Sequence, residues 1–340
     1  MTADNAGRIT IRAIAQEAGV SVPTVSRVLN GRSDVSPQTR ERIERLLNEH
    51  GYRRRATRSR AGASLIDLVF NDLDSPWAVE IIRGVEDVAH SAGVGTVVSA
   101  THRRSASTRQ WLKNLRARAT DGVIFVTSDL TPVLHGQLRR LHVPIVVIDP
   151  AGVLAIDVPT VGATNWAGGL TGTEHLLSLG HGRIGFVAGP ERLLCSRARL
   201  DGYGAGLARA GIDLDQALIQ QGDFYHESGF AAGDALLDLD EPPTAVFASS
   251  DLMAFGVYEA VRRRGLRVPD DISVVGFDDL PESRWASPPL TTVRQPLAEM
   301  GLVAARTVLR LAQGQEIETP RVELATELVV RSSSAAPKFE

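Results

Sequence analysis

Residues 9–52, ITIRAIAQEAGVSVPTVSRVLNGRSDVSPQTRERIERLLNEHGY, constrain the fold more tightly than any other part of the chain. Ile11, Ile14, Ala15 and Ala18 recur at helical spacing and predict a short helix with one apolar face. Gly19 follows, a residue that tolerates the left-handed backbone of a sharp turn. Ser21 is placed to cap a second helix, and Pro23 falls in its first turn, where the missing N–H costs nothing. Val25, Val28 and Leu29 give that helix a buried side, turning Val22, Pro23, Thr24, Ser26 and Arg27 outward. Ser36 and Pro37 open a third helix, whose Ile43, Leu46 and Leu47 close a small core. Two short helices about a glycine turn, with a third in support, form a helix-turn-helix, which presents its second helix to the DNA major groove.

A three-helix packing module would share this periodicity, and charge separates the two readings. Residues 1–60 hold twelve Arg, no Lys and six Asp or Glu, net +6, whereas the remainder is net −9, which gives the whole-chain −3. A basic head on an acidic body is the footprint expected of a nucleic-acid binder.

AGVSVPTVSRVLNG, followed by VSPQTR, closely resembles the DNA-binding domain of the lactose-repressor (LacI/GalR) family of bacterial transcription regulators. The resemblance carries that family's DNA contacts onto Thr10, Ser21, Val22, Pro23, Thr24, Ser26, Arg27, Asn30, Ser36 and Thr39. Val22 and Pro23 match the two positions that vary most to set operator choice. Neither offers a hydrogen bond, so base choice there would come from apolar contact, for example with a thymine methyl. Arg27 is the first candidate for reading a guanine. After Tyr52 the family continues with a Pro-Asn pair and a hinge helix whose leucine wedges into the minor groove. This chain instead has RRRATRSRAGAS, with Arg54 and Arg55 in place of the pair. Arg55 and Arg58 are candidate minor-groove or phosphate contacts.

From Leu65 the pattern changes to short apolar runs alternating with amphipathic stretches. Strands are expected at 65–70, 94–99, 122–126 and 145–148, with helices near 76–91, 107–118 and 132–141. A comparable second set begins near Val158, with strands at 184–188, 245–247 and 272–277 and helices near 165–179, 197–210, 227–237 and 252–264. Such alternation implies parallel sheets covered on both faces. The fold class is therefore an all-α helix-turn-helix head plus an α/β two-lobed body. TVGATNWAGG, HGRIGFVAGP, SRARLDGY, PTAVFASSDLMAFG, GLRVPDDISVVGFDD and PPLTTVRQP make that body resemble the same family's periplasmic-binding-protein-like effector domain. The expected divisions are a head at 1–52, a hinge at 53–63, an effector and dimerisation domain at 64–332 and a short polar tail at 333–340. Lobe 1 would take 64–161 and 293–321, and lobe 2 would take 162–292 and 322–332.

Ligand in that fold lies between the lobes, beside strand carboxyl ends. Trp77, on the loop after the first strand, could cover the apolar face of a sugar or planar base. The resemblance implies Phe224 as a second aromatic wall, Arg199 as a fork onto ligand hydroxyls or a carboxylate, and Asp278 as an acceptor from ligand hydroxyls. Asp149, Asn165, Ser250 and Trp285 complete the candidate set, with Asn165 and Asp251 as helix caps.

One cysteine, Cys195, excludes an internal disulfide and a cysteine-cluster zinc site. The histidines form no metal-ligand spacing, Asp278 and Asp279 are adjacent rather than facing, and Ser196 lacks a GxSxG frame. No dinucleotide or P-loop glycine motif occurs. These absences disfavour an enzyme, and no cofactor is expected. With no apolar leader or membrane-spanning run, the expectation is a cytoplasmic, nucleoid-associated regulator, not a membrane protein. It would act as a homodimer on palindromic operator DNA and be switched by a small ligand, a mono- or oligosaccharide. The alternative is a sugar-binding transport or chemoreception protein of the same lobed fold.

Overall fold

The computed structural model describes residues 10–29, 35–50, 64–102, 104–118, 120–127, 130–152 and 158–338. Asn30, Arg55, Arg58 and the expected hinge at 53–63 lie outside the described residues. In the head, α1 (Ile11–Glu17), α2 (Val22–Leu29) and α3 (Pro37–Glu49) enclose Ile14, Ala15, Ala18, Val25, Val28, Leu29 and Ile43. Val35 joins this core, and Leu46 and Leu47 pack against it. Gly19 takes φ +63°, the left-handed backbone that ends α1. A hydroxyl caps each helix: Thr10, Ser21 and Ser36 accept from the backbone N–H of Ala13, Thr24 and Thr39, each at 3.3 Å. His50 Nε2 lies 2.8 Å from Glu17 Oε2 and fastens the ends of α3 and α1 together.

The body opens with β1 (Leu65–Phe70), α4 (Pro76–Ser91), β2 (Gly95–Ala100), α5 (Ser105–Arg118), β3 (Gly122–Val126), α6 (Pro132–Arg140), β4 (Ile145–Ile148) and β5 (Thr160–Ala163). A second series follows: α7 (Asn165–Ser178), β6 (Ile184–Ala188), α8 (Leu194–Arg209), β7 (Ile219–Gln221), α9 (His226–Leu237), β8 (Ala245–Ala248), α10 (Asp251–Arg263), β9 (Ser273–Asp278) and β10 (Thr291–Arg294). The chain ends through α11 (Leu297–Ala312), β11 (Arg321–Leu324) and β12 (Glu327–Val329).

One sheet has the order β2-β1-β3-β4-β5-β11 and the other β7-β6-β8-β9-β10-β12. Among the described residues all strand pairings are parallel except that of β12 with β10. The two lobes thus repeat one doubly wound strand order, whose ligand crevice lies outside the strand carboxyl ends. β5 carries the chain to Ala163 before it leaves the first sheet, β10 to Arg294 before it leaves the second, and β11 to Leu324. The lobe limits expected at 161/162, 292/293 and 321/322 therefore fall inside strands. The crossings lie at 163–165, 294–297 and 324–327, since each strand completes its hydrogen-bond ladder before the backbone changes sheet.

Two crossings are sewn together. Thr164 N–H donates to Leu324 O at 2.9 Å, and Thr326 N–H donates to Thr164 Oγ1 at 2.9 Å. The segment expected as a tail is instead clasped to lobe 2 as far as Ala335. Val274 N–H donates to Ser333 O at 2.8 Å, and Ser333 Oγ donates to Val274 O at 2.6 Å.

Helices cross in pairs through glycines that meet the partner backbone. A Cβ on Gly84 of α4 would lie 1.8 Å from Ala298 O, and one on Gly301 of α11 would lie 2.4 Å from Ile81 O. The same reciprocity joins α7 to α8, where Gly169 would meet Arg199 O at 2.2 Å and Gly202 would meet Trp166 O at 2.2 Å. Gly84→Ala and Gly169→Ala should each lower the thermal midpoint, costing about 1–3 kcal/mol by overpacking. Only Gly169→Ala should also weaken ligand binding, because it displaces the backbone of Arg199. Calorimetric titration of both variants checks this, and equal ligand affinities would count against it.

Candidate functional site

In the head, Val22 and Pro23 begin α2 and are exposed, Thr24 and Ser26 are half-buried, and Arg27 is exposed. Thr10, Ser21, Ser36 and Thr39 gather at helix N-termini, Ser21 Oγ lying 2.9 Å from Thr24 Oγ1 and Ser36 Oγ donating to Thr39 Oγ1 at 2.8 Å. Hydroxyls at helix N-termini beside an arginine suit phosphate oxygens, which the positive end of a helix also attracts.

In the body, Arg199 of α8 is the centre of a buried polar cluster. Its Nε donates to Asn165 Oδ1 at 2.8 Å and its Nη1 to the Ser249 carbonyl at 2.6 Å, with Asp278 Oδ1 at 3.7 Å. Its guanidinium lies 3.8 Å from the Phe277 ring centroid and 5.4 Å from that of Phe224. Nη2 donates to no described residue. Asn165 is the first residue of α7 rather than its cap: Thr164 holds the cap position, and Asn165 Nδ2 turns back to Ala163 O at 3.0 Å. Ser250 caps α10, accepting from Met253 N–H at 3.2 Å while its Oγ donates to Phe224 O at 3.2 Å. Asp251, expected as the cap, is the first helical residue and is fully buried. It braces the cleft floor, accepting from Leu280 N–H at 2.8 Å and from Thr292 Oγ1 at 2.5 Å.

Burial sets the electrostatics. It pushes Asp149 up to about 6 against the pull of Arg199, with Glu323 adding to the rise. It pushes Asp278 up to about 7, opposed by Arg199 and the Gln295 hydrogen bond and reinforced by Asp149. Asp251 is also raised, by burial first and then by Asp278. The folded chain thus holds protons on Asp149 and Asp278 that the unfolded chain releases near pH 4, so this contribution to stability falls as pH rises from about 4 to about 7. Asp278→Asn removes one such group. Its stability relative to the unsubstituted chain should rise by about 2 kcal/mol between pH 5 and pH 8. Denaturant titrations at both pH values check this, and a pH-independent difference would count against it.

The structure brings Asn165, Arg199, Phe224, Ser250 and Asp278 together, with Asp149 within electrostatic reach. Trp77, half-buried on the first turn of α4, packs on the first lobe's core rather than on Arg199. Trp285 is 70% exposed after a short turn at Pro281–Arg284 and joins none of the described hydrophobic clusters.

The sequence reading passed over Gln295 and Ser249. Gln295 Nε2 donates to Asp278 Oδ1 at 2.6 Å, yet its Oε1 is buried without a partner among the described residues, as is Ser249 Oγ. It also passed over backbone strain: His102, Thr127, Asp149, Phe224, Asp278 and Asp279 adopt positive φ on segments that leave strand carboxyl ends. Non-glycine residues in that region cluster where function overrides local preference.

Known proteins share this fold. Residues 10–55 match "Bacterial regulatory proteins, lacI family", and residues 173–334 match "Periplasmic binding protein-like domain". The HTH-type transcriptional repressor CytR of Escherichia coli (strain K12) is 34% identical over 332 residues, covering 96% of each chain. Among solved structures, the transcriptional regulator CelR–cellobiose complex superposes with a TM-score of 0.74 at 35% identity, covering 96% of this chain and 100% of that one. The lac repressor dimer bound to operator and the anti-inducer ONPF superposes with a TM-score of 0.71 at 31% identity, covering 97% and 100%.

A helix-turn-helix head on a two-lobed α/β body, shared with relatives that are transcriptional regulators, makes the chain a DNA-binding transcriptional regulator rather than an enzyme. The chain belongs to the LacI family. The matched head decides against the transport-protein alternative.

Proposed function

We propose that this regulator is a homodimeric, effector-controlled repressor of genes for sugar uptake or catabolism, acting in the cytoplasm. Its paired heads bind a pseudo-palindromic operator, with two half-sites matching two-fold protein symmetry. Thr10, Ser21, Val22, Pro23, Thr24, Ser26, Arg27, Ser36 and Thr39 contact DNA, together with Asn30, Arg55 and Arg58 outside the described residues. The effector is a mono- or oligosaccharide held by Arg199, Asp278, Asn165, Ser250 and Asp149 beside Phe224.

One observation carries the ligand reading: a buried guanidinium flanked by carboxylates, with Gln295 Oε1 and Ser249 Oγ unpartnered beside it. Acceptors with open lone pairs next to a planar donor fork match the alternating donors and acceptors of a polyol. The cellobiose held by CelR is of that class. A ligand that joins Asp149 of the first lobe to Arg199 of the second favours one spacing of the lobes. It therefore switches DNA binding only through a difference in affinity between conformers.

A thermal-shift screen of carbohydrates and nucleobases, with operator retention measured for every hit, tests this. A carbohydrate should raise the midpoint and change retention. Stabilisation by nucleobases alone would overturn the sugar assignment, and hits that leave retention unchanged would overturn effector control.

A further inference from the structure

Several exposed arginines elsewhere on the body meet carboxylates: Arg209 meets Glu174 at 2.8 Å, Arg262 and Arg263 meet Glu259 at 2.9 and 2.8 Å, and Arg267 meets Asp271 at 2.9 Å. The outer face of α5 and α6 does not follow this pattern. α5 reads SASTRQWLKNLRAR and α6 reads PVLHGQLRR, and neither contains an acid. Trp111, Leu112, Leu115, Leu134 and Leu138 bury the inner sides of these helices against the first sheet. Arg109, Lys113, Arg116, Arg139 and Arg140 are left exposed, and none makes an ion pair among the described residues. Arg109, Lys113 and Arg116 stand at i, i+4 and i+7, one stripe along α5. The negative end of a helix accounts for cations in the last turn, which covers Arg116, Arg139 and Arg140. It accounts for neither Arg109 nor Lys113.

The carboxyl end of the stripe, at Arg116, lies where the chain arrives from the head. α5 runs antiparallel to the strands it connects, so its last turn reaches the amino-terminal edge of the first sheet. There Asp121, three residues beyond α5, accepts from Leu65 N–H at 3.2 Å and from the Ser64 hydroxyl. Between residue 50 of the head and Ser64 the chain can span at most about 50 Å. That distance corresponds to roughly 15 base pairs of duplex.

We infer that the α5 stripe of Arg109, Lys113 and Arg116 is a second, sequence-independent contact to the phosphates of duplex DNA that flanks the head's own site. It rests on the DNA-binding reading but concerns the body rather than the head. Each phosphate neutralised by a cation releases condensed counterions and steepens the fall of log affinity with log salt by about 0.9.

The test uses the full chain and its R109A/K113A/R116A variant, alanine being the residue most compatible with an exposed helix. Three probes are titrated over a salt series: a duplex of about 20 base pairs centred on the operator of its own promoter, the same duplex extended by about 15 base pairs on each side, and a random duplex of the longer length. On both long duplexes the variant dimer, lacking three cations in each protomer, should show a salt slope smaller by about 5 and bind about tenfold or more weakly at low salt. On the short duplex the two proteins should match, and their thermal midpoints should agree.

Equal slopes on the long duplexes would overturn the stripe while leaving operator recognition intact. A native chain that fails to prefer the operator over random duplex would overturn the DNA-binding reading and the stripe with it.

Discussion

Arg199→Ala is expected to give a protein that holds operator DNA and ignores its effector, at a cost of about 3–5 kcal/mol in stability. The cost follows from what the side chain leaves behind. Asp278 and Asn165 are 5% and 8% exposed, and Arg199 donates to Asn165 and the Ser249 carbonyl while lying over Phe277. Without the guanidinium, a buried carboxylate loses its nearby cation and must remain protonated to stay in place. Arg199→Lys separates the two effects, since an ammonium restores charge but cannot form the planar fork. It should recover much of the stability and little of the ligand affinity. Chemical denaturation and calorimetric titration, run beside operator retention, read all three quantities. Ordinary ligand affinity in the lysine variant would sink the fork assignment.

Arg27→Ala is expected to abolish discrimination between operator and random duplex, leaving ligand affinity unchanged. Arg27 is exposed on the last turn of α2, outside the core of Val25, Val28 and Leu29, so truncation should leave the helix packed. A bidentate arginine on guanine is worth about 1–3 kcal/mol of discrimination at one base pair, and a dimer would apply it twice. Substituting Arg40, exposed in part on α3, provides a charge-matched control. If competition binding shows operator preference intact in Arg27→Ala, its role as a base reader is refuted.

Much of the fold was legible because the pattern was local. β3, β4 and β6 are apolar runs buried on both faces, and β1 is one broken only by the buried Asp67, so their limits read directly from residue type. The head was legible for the same reason, as three caps, one turn glycine and a short periodicity lie within one stretch. The rest depends on distant partners. β10 reads TTVR, which looks polar, yet Thr291 and Thr292 are fully buried because Ser333, Ser334 and Asp251 satisfy their polar groups. α11 was not among the expected helices, although Leu297, Met300, Ala304, Ala305 and Val308 complete the first lobe's core.

The cleft shows the same division. Arg199 and Asp278 sit in motifs that carry the family resemblance, and so does Gln295, but residue type alone gave Gln295 no role, and its contact with Asp278 is what marks it. Trp285 reads by residue type as a pocket edge or equally as a lobe-packing residue, and its 70% exposure speaks against the packing role. Aromatic identity is weak evidence for a ligand wall when no neighbouring backbone fixes where the ring points.

The central claim is that an operator-reading head is biased by a ligand held in the body's cleft. Its most direct measurement is competition binding of the purified full chain to the duplex upstream of its own gene against random duplex at moderate salt, with and without a stabilising carbohydrate. The account predicts a preference for its own duplex of at least about a thousandfold, and a shift in that preference when the carbohydrate is present. Equal affinity for the two duplexes under both conditions would contradict it.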